Sequence, residues 1–573
     1  MISNGMQRAI PAKLINRHSL FLYALPISAL VVIAVIAYGI FYAPILYSDD
    51  WSLVLGRWYS GNFEWLDTSE QRPFLKVLLI VLYGIFGLNI KAFYAILWIL
   101  NVIAAIQLYF LMLRLTSKNV SVAFAIAAII LIYPADFTHM WLTMITIRFI
   151  VVLTLLYAYL WLVYSDTESK WALSGASLCL VLPLGTYEGQ VGVTMTWAVF
   201  LALKKRAGGW RKWPILLLPA VIGGLFLLWR GAGYSVVGAE DSNHYFNYVQ
   251  LTPGIIINRL IMGYRIMVWA WVEPLMQSLG LNRWQAVLGL LLIITVCGFL
   301  ASVIQRVYHK LQSDEYLTQQ RHLDQLRLFM WVTFIGSVFI GPGYIPFIAI
   351  FMPTLFPLGS RLNLFALMGA TVAIVALLAV VALILKRKQS QINFMILATA
   401  APLIILGTLT QAQVQRDDRL VWEEQKHMWH ELFALAPDFK DGTSVHFIIP
   451  DNASQASLLN RNKLRLPLRG AWDVGTGLNM LYGKHSLRGD IAVKESFLPG
   501  GIKAYYTDSI TAYDQALIVA YDRDSKQLRI VEDLEAENLV DFPVTNYAPY
   551  EHIIETPTSQ TSFRWLVEIT PDR

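Results

Sequence analysis

Two adjacent carboxylates, Asp49 and Asp50, stand in the run Tyr47-Ser48-Asp49-Asp50-Trp51, directly after the first long apolar segment. That segment, from about Leu20 to Leu46, is long enough to cross a ~30 Å hydrocarbon core, which takes about 20 residues. Membrane insertion does not call for an Asp pair at a helix exit, where Lys or Arg anchors and Trp or Tyr suits the interface. Paired carboxylates at a membrane surface suit two tasks: taking a proton from a hydroxyl, and binding a divalent cation such as Mg or Mn. Four arginines, Arg57, Arg72, Arg148 and Arg361, fall at other boundaries of the apolar runs on the same side. A guanidinium fork binds phosphate oxygens in pairs, and it also anchors helices by reaching to headgroups; spacing alone leaves both open. Glu188, with Tyr187 before it, sits between two short apolar runs with almost no polar loop. An ionisable group at membrane depth is costly and points to a cavity. His139, two residues before Trp141, and Trp51 are the remaining candidates for substrate contact.

These residues must be positioned by apolar helices. Of 573 residues, 56% are hydrophobic and 15% charged, with a mean hydropathy of +0.51. A soluble chain carries about a quarter charged residues. The composition predicts an all-α polytopic membrane bundle with one polar appendage. Eleven apolar runs serve as candidate spans, roughly 20–46, 91–113, 120–134, 147–164, 171–186, 190–203, 214–230, 285–305, 328–341, 363–385 and 392–411. Up to Gln411 there are 28 Lys/Arg against 15 Asp/Glu, a balance of +13; beyond it the balance is −7. The positive charge lies in short loops between apolar runs, which does not point to nucleic acid. With the N-terminus cytoplasmic, 18 of those 28 cations fall in inside segments, among them Lys204, Lys205, Arg206, Lys386, Arg387 and Lys388. An odd number of spans then leaves the C-terminal region outside the inner (plasma) membrane. The first apolar run is too long for a cleaved signal and lacks a small-residue cleavage site, so it reads as an anchor. The only cysteines, Cys179 and Cys297, both fall in candidate spans, which excludes a disulfide framework or thiolate metal site in the exported part.

The division is therefore a membrane domain at 1–411, with outer loops at 47–90, 231–283 and 341–361, and an extracytoplasmic α+β domain at 412–573. In the first loop, Phe74–Leu88 is apolar but short, as expected of a helix lying in the interface. The second loop has a helical stretch after Pro253, and the third is broken by Pro342, Pro346, Pro353 and Pro357. Irregular backbone at membrane depth is tolerated where it lines a cavity. In the tail, Val421–Leu435 reads as a helix and Thr443–Ile449 as a buried strand. Ala516–Tyr521 and Gln527–Val531, joined by Asp522–Lys526, read as a hairpin.

The Asp pair at the first exit, Arg72-Pro73, the apolar stretch ending Phe86-Gly87-Leu88-Asn89, Tyr187-Glu188 and Gly359-Ser360-Arg361 together resemble GT-C glycosyltransferases. That superfamily includes the protein O-mannosyltransferases and the lipid A aminoarabinose transferases. The resemblance covers roughly residues 1–411; the tail matches nothing in it. Ser360 and Leu362 stand where a Glu-Arg-Tyr type sequence is usual, and Arg361 is kept. What the resemblance implies is transfer of a sugar from a polyprenyl-phosphate donor to a glycan, lipid or protein acceptor on the outer side, among membrane lipids. It implies Asp49 as general base, with Asp50 orienting it, touching the acceptor or sharing a cation. Arg72, Arg361, Arg148 and Arg57 would face the donor phosphate, and Glu188, Tyr187, His139 and Trp51 the sugars. Two other readings compete. A lipid or glycan transporter or flippase would show repeated halves with interrupted helices, and no internal repeat is visible. A non-enzymatic anchor for the tail would leave the clustered outer charges unexplained.

Overall fold

The computed structural model describes residues 17–39, 44–46, 50–59, 73–184, 188–204, 213–236, 252–279, 283–308, 318–348, 353–355, 358–450, 466–468, 470–504, 509–557 and 563–568. Asp49, Arg72 and Tyr187 lie outside them, as does most of the loop 231–283 before Thr252.

Each of the eleven apolar runs falls on a helix. Two of them begin at a side-chain cap: Asn89 and Asn119 accept from the amides of Ala92 (3.2 Å) and Val122 (3.1 Å). Among the described residues, five helices are long and apolar enough to cross a membrane: Ile90–Leu115, Leu142–Thr167, Gln319–Tyr344, Ala366–Leu385 and Gln389–Leu435. The expected count of about eleven crossings is therefore not supported by helix length. Val120–Leu131, Lys170–Leu184 and Val191–Lys204 have 12, 15 and 14 residues. At 1.5 Å per residue they reach only about 18–22 Å, short of the hydrocarbon core. Val120–Leu131 is a core helix: most of its side chains are fully buried, packed among Ile90–Leu115, Ala366–Leu385 and Gln389–Leu435.

The bundle has two distinct ends. At one, Arg114 pairs with Asp166 (3.1 Å), Asn119 donates to Asn393 (3.3 Å), and Arg387 meets His322 Nδ1 (3.1 Å). At the other end sit Asp50, the loop Ile132–Met144 and the turn Leu358–Asn363. Pro73–Phe86 is a separate 14-residue apolar helix, as its length suggested.

The longest element is Gln389–Leu435, 47 residues in one helix, or about 70 Å. It runs through the 411/412 boundary without a break, and Val421–Leu435 is its last part. Its far end is the base of the tail. There a sheet has the order Arg488–Ile491, Ser444–Ile448, Ala516–Asp522, Gln527–Ile530. The first three strands are parallel and the last closes an antiparallel hairpin. The helix Ala471–Tyr482 makes the crossover between Ser444–Ile448 and Arg488–Ile491. Arg523, after the third strand, clamps Glu424 of the long helix with two bonds of 2.6 and 2.8 Å, nearly excluded from solvent. His446 in the central strand is 2% exposed, and burial lowers its imidazole to about 4, so it stays neutral.

Candidate functional site

Asp50 opens a π-helical turn, Asp50–Gly56, and is fully buried. Its Oδ1 accepts two hydrogen bonds from Thr143, one from the backbone N–H at 2.8 Å and one from the hydroxyl at 2.7 Å. Thr143 lies in the second of two short 3₁₀ turns between Val120–Leu131 and Ile145–Thr167. Two donors on one oxygen hold the carboxylate against Thr143.

The same loop is stapled from within. Asp136 and Arg148 form a buried ion pair. Thr138 donates to Asp136 Oδ1 from its hydroxyl (2.7 Å) and its backbone N–H (3.1 Å), and accepts from Arg148 Nη2 at 2.7 Å. Burial alone raises the Asp136 carboxyl; the Arg148 guanidinium, helped by Thr138, outweighs this and holds it below the usual carboxylate range. Arg148 is thus paired inside the protein rather than held out for a phosphate. His139, 1% exposed, stacks on Tyr38 with ring centroids 4.9 Å apart. Trp51 is fully buried, edge-on to Trp429 of the long helix. Neither ring has a face open to a sugar in this arrangement.

Arg361 is half-buried in the turn Leu358–Asn363. Asn363, two residues on, ties that turn to the staple: its amide donates to the Ala135 and Thr354 carbonyls (3.2 and 3.1 Å) and accepts from the Tyr344 hydroxyl at 2.8 Å. Glu188 begins the 3₁₀ turn Glu188–Gln190, whose neighbour Gly192 packs so close to Pro342 that a Cβ would collide with the Pro342 carbonyl. Glu188's turn, the Pro342–Tyr344 corner, Arg361's turn, the staple and Asp50 therefore form one contiguous end of the bundle. The side chains of Glu188 and Arg57 lie outside the described residues.

Several polar residues at this end were not singled out from sequence. Gln411 donates to the Tyr133 and Asp136 carbonyls (2.8 and 2.9 Å), and Gln415 to the Ala37 carbonyl (2.6 Å). Their i, i+4 spacing on one helix face was the available signal. Asn101 is 4% exposed and neither end of its amide has a partner among the described residues. It faces a cavity of about 20 Å³ shared with Tyr38, Asp136, Arg148, Leu364 and Leu367, room for about one water. Among the described residues no cluster of three or more His, Cys, Asp or Glu could hold a metal. Asp50 with its Thr143 donors does not by itself complete a divalent-cation shell.

Comparison with protein-family models finds no match to this chain, and comparison with curated proteins finds no significant relative.

Proposed function

We propose that the chain is a GT-C type glycosyltransferase that moves a sugar from a polyprenyl-phosphate donor to an acceptor hydroxyl at the outer membrane face. In this reading the bundle threads the inner membrane about eleven times, with shorter helices completed by irregular outer backbone, and the tail is extracytoplasmic. The observation that carries it is the oriented, buried Asp50 at the end of the apolar helices, one residue from a second carboxylate. Asp49 takes the acceptor proton as the acceptor oxygen bonds to the anomeric carbon. The bond from that carbon to the phosphate oxygen breaks, and polyprenyl phosphate leaves. Asp50, with one oxygen already accepting two bonds, acts as the orienting partner. Arg72 and Arg361 are the donors for the developing phosphate charge; Arg148 serves the loop that holds Asp50.

The test is transfer from polyprenyl-phosphate sugars by purified protein. Asp49→Asn is expected to lose about 10²–10⁴ in rate, as for a general base, and Asp50→Asn less. A dead Asp50→Asn with an active Asp49→Asn reverses the two roles. Near-normal turnover by both removes this loop from the chemistry.

A further inference from the structure

Asp50–Tyr59 is gripped from two sides. On the bundle side, Thr143 holds Asp50 and the Tyr83 hydroxyl donates to the Val54 carbonyl. On the other side are the tail and the base of the long helix. Trp51 meets Trp429 with ring centroids 6.2 Å apart, and both are fully buried. Gly56 lies so close to the helix Ala471–Tyr482 that a Cβ there would come within 2.6 Å of Thr476 Cγ2. Trp58 meets Phe563 edge-on at 5.6 Å. Tyr59 stacks on His485 at 4.7 Å and donates to the Lys484 carbonyl at 3.0 Å.

These contacts come from three separate parts of the tail and converge on ten residues. Ordering a loop backbone costs about 1–2 kcal/mol per residue, so a segment this long stays in one conformation only where packing surrounds it. Thr143 and Tyr83 reach only its first half. We propose that the tail is the positioning module for Asp50: Trp429, Thr476 and the Lys484–His485 turn hold the π-helical turn down so that the Asp50 carboxylate stays against Thr143. The tail then acts on the reaction through geometry, not as a separate binding domain. The kinetic part of this rests on the glycosyl-transfer reading; the ordering of the segment does not.

The experiment uses the full chain in nanodiscs and follows backbone hydrogen exchange of residues 51–59. The variants are Trp429→Ala, Trp429→Phe and Tyr59→Ala, the last removing a stack and a hydrogen bond from a half-buried side chain with little risk to folding. Exchange of 51–59 is expected to speed up about tenfold or more in both alanine variants while the helix Ile145–Thr167 stays protected. Trp429→Phe, which keeps an aromatic ring in place, is expected to retain protection. In the transfer assay the alanine variants should lose about 10–10² in kcat with KM little changed, since a displacement of about 1 Å near the chemistry has that effect. Unchanged protection of 51–59 in Tyr59→Ala and in folded Trp429→Ala overturns the proposal. So does faster exchange with full turnover. Wild-type protein that transfers no sugar, with 51–59 released in the variants, supports the docking and sinks the glycosyl-transfer reading alone.

Discussion

Asp136 and Arg148 show how a residue can be selected for the right region and the wrong task. Arg148 at an apolar boundary resembled a phosphate donor, but its partner lies twelve residues upstream, in the loop that leads into its helix. The signal for the staple was present in Asp136-Phe137-Thr138, a spacing at which the carboxylate accepts from the amide two residues on. Breaking a buried pair from one side costs about 3–5 kcal/mol, because the other charge is left uncompensated, whereas replacing both by apolar groups of similar size is often neutral. Asp136→Asn is therefore expected to lower the thermal midpoint of the detergent-solubilised protein sharply. Asp136→Leu with Arg148→Met should recover most of it. If both variants melt like wild type, the pair does not hold the loop, and Arg148 returns to the list of phosphate donors. Asp50 itself was legible because carboxylates are rare at a span exit. Thr143 was not: a threonine in an apolar stretch gives no sign that its hydroxyl and amide face a carboxylate far away in the chain.

At the scale of elements, hydropathy found all eleven helical runs, but length decided what they are. Val120–Leu131 reads like a span because every residue is apolar or small, yet it is short and wrapped by other helices on all sides. Hydropathy cannot distinguish a lipid-facing helix from a core helix. The backbone does not change at Gln411: one helix, Gln389–Leu435, runs from the apolar bundle into the tail. The strand pattern of the tail was readable where burial was complete, and the hairpin Ala516–Asp522 with Gln527–Ile530 forms as expected. What joins sheet to helix was not readable, since Arg523 and Glu424 are 99 residues apart. Glu424→Gln would leave the Arg523 guanidinium buried with a neutral partner. We expect it to loosen the sheet from the long helix, seen as faster hydrogen exchange in 516–530 with the membrane helices unchanged. Equal exchange in wild type and variant would show that packing alone carries this joint.

The whole molecule has a polarity that can be tested without reference to any reaction. Arg114–Asp166, Asn119–Asn393 and His322–Arg387 gather at one end of the bundle, and Asp50, the staple and Asn363 at the other. The long helix begins at the first end, beside Lys386–Lys388, and delivers the tail to the second. Tail and Asp50 therefore share a side whichever way the chain sits in the membrane. The excess of Lys and Arg in the short loops, 18 of 28, sets which side that is: the lysine-rich end should be cytoplasmic and the tail outside. Reporter fusions at Gln389 and after Arg573 are expected to read inside and outside respectively. Accessibility labelling of single cysteines at Lys118 and at the exposed Lys494 in spheroplasts gives an independent answer, with only the second reacting with an impermeant reagent. Both fusions reading inside would break the long helix as one crossing element. A fully inverted result would keep the architecture and move the Asp50 end into the cytoplasm, away from any acceptor on the outer face.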